Sequence, residues 1–173
     1  MMKRAALGTR EWLTSAMIAG LVSAGTLGIG SMALGQDQSA ATAKDVIFAR
    51  KILMVSIGDN MDELEAIIAS GKIDVQHGAM HADLVSVMLL SFPHLFPPAS
   101  NQWKPNVDKD PGSDTYAAPE VWSRYADFYQ RAHNASKAAY NASQARNEEE
   151  FKKSVGELRT GCDGCHAVYQ KKD

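Results

Sequence analysis

The stretch NEEEFKKSVGELRTGCDGCHAVYQKK, residues 147–172, is the point from which the rest of the chain is read. Asn147 followed three residues later by Glu150 has the form of a capping box, the mark of a helix start. Glu148 and Glu149 suit the positive end of a helix dipole, and Lys171 and Lys172 suit the negative end. Between them Phe151, Val155, Leu158, Cys162, Cys165 and Tyr169 recur at spacings of three and four. That spacing predicts one amphipathic helix with two cysteines on its buried stripe.

Working back from it, Pro119 fits the first turn of another helix. Val121, Tyr125, Phe128, Ala132, Ala135, Ala139 and Ala142 keep the same rhythm, predicting an unbroken helix. Before it, Pro93, Pro97, Pro98, Pro105 and Pro111 with Gly112 forbid a continuous helix from Pro93 to Ala118. A connection this long belongs in a compact domain only where it crosses or covers something. Asp74 is a good N-cap for a helix running to Phe92, with Met80, Leu84, Val87 and Met88 as its expected buried face. The first helix is expected from Thr42 to Ser70. Ile47, Met54, Met61 and Ile68, interleaved with Ile57 and Leu64, form its stripe; Thr42 and Asp45 form its capping box, and Gly71 stands at its end. Gly58 interrupts this helix in composition only and suggests a close-packed spot. Four helical segments without alternating strands predict an all-α, antiparallel four-helix bundle.

The N-terminus has a different character. Lys3, Arg4 and Arg10 precede an apolar and small-residue run from Trp12 to Leu34, which ends at Ala33-Leu34-Gly35. A basic region, an apolar region and a small-x-small site predict a cleavable signal peptide over 1–35, a folded domain over 36–173 and a periplasmic location. The competing reading, a membrane anchor, is disfavoured by Gly20, Gly25, Gly28 and Gly30 within the run. Removal of 1–35 takes away three cations and one anion, moving the formal charge from −2 to −4. A mildly acidic domain of ordinary composition offers nothing to a nucleic acid.

Cys162-Asp163-Gly164-Cys165-His166 carries the chemistry. C-x-x-C-H is the attachment signature of c-type haem, in which each thiol adds across a vinyl group and the imidazole becomes an axial ligand. A structural zinc site would need a fourth ligand. A thioredoxin-like pair would need a βαβ setting. A Cys162–Cys165 disulfide in a haem-free helical module would leave the histidine unexplained. The expected cofactor is therefore one covalent haem c with its iron, held in the bundle core near the last helix. Arg50 is the one charge on a core stripe. A buried cation needs a partner, and a haem propionate would serve; the alternative is a side chain reaching out to solvent. His77 and His81, four apart on the second helix, could clip a metal, but their place near the helix start points to a solvated face instead. His94 and His133 lie in the connection and off the third helix's stripe.

With these pieces in hand the chain resembles the class II c-type cytochromes, the cytochromes c′ and their low-spin relatives. The likeness rests on Ala49-Arg50-Lys51-Ile52-Leu53-Met54, Gly58-Asp59-Asn60-Met61, Leu95-Phe96-Pro97, Pro119-Glu120-Val121-Trp122 and the C-x-x-C-H. It implies a haem bound through Cys162 and Cys165, His166 as one axial ligand, Arg50 at a propionate, and Met54 as the residue facing the iron from the first helix. Cytochromes c′ leave that iron five-coordinate and bind nitric oxide or carbon monoxide; low-spin members ligate a Met, which suits electron transfer. The long connection before Pro119 is more like the low-spin members. The resemblance thus implies an electron carrier rather than an enzyme, with periplasmic redox proteins as partners and a diatomic gas as the alternative ligand; monomer and homodimer are both open. Many family members carry a basic residue four positions after the ligating histidine. Here that position is Gln170.

Overall fold

The computed structural model describes residues 41–105, 110 and 114–171. The signal peptide expected over residues 1–35, and Lys172, lie outside the described residues. Helix α1 spans Ala43–Ala69. Both halves of its capping box are formed: the Thr42 hydroxyl accepts the Asp45 N–H, and the Asp45 carboxylate accepts the Thr42 N–H at 2.9 Å. It ends at Ser70, and Gly71 then adopts φ 71°, the left-handed conformation that reverses the chain. Helix α2 spans Val75–Ser91 with Asp74 capping the His77 N–H. The chain then tightens into two 3₁₀ turns, Phe92–Leu95 and Pro98–Ser100, where the prolines forbid an α-helix.

The third predicted helix is two. Helix α3, Glu120–Ser123, stops at Arg124, whose φ −127° and ψ 38° are not helical, and α4 runs over Tyr125–Ser143. The apolar spacing continues across the break, so periodicity could not reveal it. The break is fixed by tertiary bonds instead: the Trp122 indole N–H donates to the Phe96 carbonyl at 3.1 Å, and the Tyr125 hydroxyl donates to the Pro93 carbonyl at 3.0 Å. Helix α5 spans Glu148–Tyr169. Only half of its expected capping box forms. The Asn147 side chain accepts the Glu150 N–H at 2.9 Å, but the Glu150 carboxylate reaches the N–H of Arg146 instead.

Two cores result. In the first, each of the four long helices contributes three buried residues: Ile57, Met61 and Leu64; Ala82, Val85 and Leu89; Ala135, Ala139 and Ala142; Phe151, Val155 and Leu158. The second is an aromatic cluster of Phe92, Phe96, Val121, Phe128 and Tyr169 at the end where α1 meets the long connection. Leu53 and Met54 pack against both. These cores, with short connections between α1 and α2 and between α4 and α5, make the antiparallel four-helix bundle expected from the sequence.

The buried face of α2 differs from the expectation. Met80, Leu84 and Val87 are exposed, while Gly78, Ala82, Val85, Ser86 and Leu89 are buried. Helix α2 is apolar nearly all round, so its pattern does not select a face. Close approach selects it: the small residues of α2 meet the alanine-rich face of α4, and the Ser136 hydroxyl donates to the Ser86 carbonyl at 2.9 Å. Phe151 fills the space over Gly78, where an added Cβ would sit 2.2 Å from its ring. Gly58, by contrast, has open space around it and is not a close-packed spot. Among the described residues no helix is long and apolar enough to cross a membrane.

Candidate functional site

A cleft of about 300 Å³ opens at the aromatic end of the bundle. Arg50, Lys51, Met54 and Val55 line it from α1, and Cys165, His166, Tyr169 and Gln170 line it from α5. Phe92, Phe96, Val121 and Phe128 form its apolar back, and Thr115 to Ala117 of the long connection close one side. Four of the five residues singled out from the sequence are therefore brought to one cleft. Cys162 lies one helical turn before Cys165 and packs against the four-helix core instead. The two cysteines do not form a disulfide with each other, and both are half-buried. Burial raises the pKa of the Cys162 thiol and pushes that of Cys165 up to about 11, the opposite of the lowered thiols of redox enzymes.

Arg50 does not reach solvent; it is 3% exposed. Its Nη1 donates to the Ser100 hydroxyl at 2.9 Å and, at 3.4 Å, to the Leu95 carbonyl. Its Nη2 donates to the Thr115 hydroxyl at 2.6 Å and to the Ser100 carbonyl at 3.2 Å. The guanidinium also lies 4.5 Å from the Phe96 ring centre and 5.6 Å from that of Trp122. The long connection is thus fastened to α1 through one cation. Among the described residues no carboxylate pairs with Arg50, and burial pushes its pKa down to about 10. It remains a cation at neutral pH, held by neutral acceptors on the wall of a cleft.

A second set of contacts, invisible in the sequence, steadies the C-x-x-C-H segment from α4. Arg131 donates from Nη1 to the Gly164 carbonyl at 3.2 Å and from Nε to Asp127 at 2.8 Å. The Tyr169 hydroxyl donates to the same Asp127 carboxylate, and these two donors, the hydroxyl first, hold the Asp127 pKa below the usual carboxylate range. Arg131 places a positive charge near Cys165, on an element other than the one carrying Gln170. Gln170 itself ends α5, where Tyr169 and Lys171 bond to Ala118 and Tyr116 of the connection. Arg131 and Asp127 are off the helix stripe, Ser100 ends a short 3₁₀ turn and Thr115 sits in irregular chain, so periodicity flags none of them. None of His77, His81, His94 and His133 lines the cleft.

The donor set fits a haem c: two thiols and an imidazole on one helix, a thioether on the facing helix, an apolar back wall and a cation without a carboxylate. The model of the Cytochrome C′ family matches residues 45–170. A curated cytochrome c′ from Pararhodospirillum photometricum is 27% identical over 126 residues, covering 70% of this chain and 93% of its own. The crystal structure of cytochrome c′ from Rubrivivax gelatinosus is 24% identical, with a TM-score of 0.64, covering 75% of this chain and 98% of its own. A nitric oxide complex of a variant cytochrome c prime from Alcaligenes xylosoxidans, 17% identical, superposes with a TM-score of 0.63 over 76% of this chain and 98% of its own. With the family model covering the whole bundle, the chain belongs to the cytochrome c′ family, class II c-type cytochromes that bind one covalent haem c.

Proposed function

We propose that the chain is a periplasmic electron carrier whose haem would be joined to Cys162 and Cys165, with His166 and Met54 as the residues that would ligate its iron. When bound, the haem supplies the ferric/ferrous couple. The observation that carries the reading is that Met54 of α1 and His166 of α5 line the same cleft from facing helices. A soft thioether opposite an imidazole favours ferrous iron and suits electron transfer. The apolar wall of Phe92, Phe96, Val121 and Phe128 excludes water, which keeps reorganisation small. Arg50 sets charge on the same wall. Its four Nη–H donors are committed to the chain's own acceptors, so toward a haem propionate it would act through its charge. Periplasmic placement is supported by the N-terminal pattern and by the family, whose members are periplasmic.

A second reading is a five-coordinate binder of nitric oxide or carbon monoxide. It is favoured by the packing of Met54 against apolar side chains of both cores, and by the nitric oxide bound in the Alcaligenes protein. The absorption and EPR spectra of the purified ferric holoprotein separate the two. Met54 ligation requires a low-spin spectrum with the weak near-infrared sulfur band, and Met54→Ala then converts it to high spin and accelerates carbon monoxide binding to the ferrous form. A wild type that is already high-spin at neutral pH refutes the ligated reading in favour of the gas binder.

A further inference from the structure

Outside the cleft, His77 and His81 of α2 bring two ring nitrogens together. Their Nε2 atoms are 3.4 Å apart, with ring centres 5.0 Å apart and planes at 69°. The tautomer of His81 follows from its neighbours. Asn60 Nδ2 donates to the Ser56 carbonyl at 2.8 Å, which turns the amide oxygen toward His81 Nδ1, 2.9 Å away. That oxygen only accepts, so Nδ1 carries the proton and Nε2 presents a lone pair. At 3.4 Å the contact with the neighbouring His77 Nε2 is at most a long hydrogen bond, outside the common range of about 2.7–3.2 Å.

The spacing has another use. Two imidazoles on a tetrahedral zinc, with Zn–N of about 2.0–2.1 Å, place their nitrogens about 3.3–3.4 Å apart. A square-planar ion would draw them to about 2.8–3.0 Å. We propose that His77 and His81 form a two-imidazole site for a divalent transition-metal ion, zinc being the best geometric match, with Asn60 as a positioning residue. Carbonyl-type oxygen on Nδ1–H and metal on Nε2 is the usual arrangement of a ligating histidine. Among the described residues no group of three or more His, Cys, Asp or Glu side chains gathers around a common point, so solvent completes the coordination and the ion is exchangeable. The site is independent of the haem reading, because neither histidine lines the cleft.

Calorimetric titration of untagged, haem-loaded protein with zinc chloride tests the site, with the haem absorption spectrum as the control for folding. One zinc per chain is expected. His77→Gln and His81→Gln should each weaken binding by about tenfold or more, and Asn60→Leu by about tenfold through loss of the positioned tautomer. Magnesium, which prefers oxygen ligands, should not compete. Absence of zinc uptake, binding undiminished in His77→Gln, or competition by magnesium would each overturn the assignment; binding undiminished in Asn60→Leu would overturn the role given to Asn60.

Discussion

Replacing Arg50 with Met removes a cation and its donors while keeping much of the side-chain volume. Three of its four hydrogen bonds have good lengths, those to the Ser100 hydroxyl, the Ser100 carbonyl and the Thr115 hydroxyl. At the low end of the roughly 1.5–3 kcal/mol that a bond from a charged donor contributes, the gross loss is about 5 kcal/mol. The acceptors are not orphaned. Ser100 still donates to the Pro97 carbonyl, the Ser100 carbonyl still accepts the Gln102 N–H, and Thr115 still accepts the Ala117 N–H. Against the loss stands relief from burying a cation whose pKa is pushed down to about 10, worth about 3 kcal/mol. The net expectation for Arg50→Met is a destabilisation of about 2 kcal/mol, read as a lower denaturant midpoint of the holoprotein. Losing the positive charge should also favour ferric iron and lower the reduction potential. Arg50→Lys separates the two effects. A single ammonium replaces the two-nitrogen fork that reaches Ser100 and Thr115, so stability should still fall, while the retained charge keeps the potential near that of the wild type. An Arg50→Met protein as stable as the wild type refutes the role of Arg50 as fastener of the connection. A potential unchanged in both variants refutes the compensation of a propionate.

Other substitutions test the remaining links. Gly78→Ala should destabilise by about 1–3 kcal/mol, because its Cβ would meet the Phe151 ring; Phe151→Leu in the same chain should recover part of that loss in urea titrations. The lowered pKa of Asp127 contributes stability that is present above the ordinary carboxylate pKa of about 3.9 and lost as pH falls through its depressed value. The acid-unfolding curve of Asp127→Asn should therefore be shallower below about pH 4 than that of the wild type, and an identical slope would remove Asp127 from the account. Haem should stay with the polypeptide in denaturing electrophoresis, and Cys162→Ala or Cys165→Ala should weaken its retention; release of haem from the wild type by acidified ketone would contradict thioether attachment.

Much of this protein could be read before any coordinates. Local chemistry determines the helix starts at Thr42, Asp74 and Asn147 and the reversal at Gly71, because caps and left-handed turns depend on a few adjacent residues. The clustering of Cys165, His166, Met54 and Arg50 was legible as well, since a covalent-attachment motif at fixed spacing and a family likeness over the whole bundle both point there. Three features were decided by tertiary structure alone. The face of α2 that turns inward, Gly78, Ala82, Val85 and Leu89 rather than Met80, Leu84 and Val87, follows from how closely α4 can approach, and a helix apolar all round carries no record of that. The break at Arg124 preserves the apolar spacing and arises from bonds to Pro93 and Phe96, about thirty residues away in sequence. The surroundings of Arg50 come from Ser100 and Thr115 of the long connection, fifty and sixty-five residues distant. Sequence periodicity reports which residues share a face of one helix. Which neighbour meets that face, and which loop residues satisfy a buried cation, depends on contacts between segments that only the folded chain brings together.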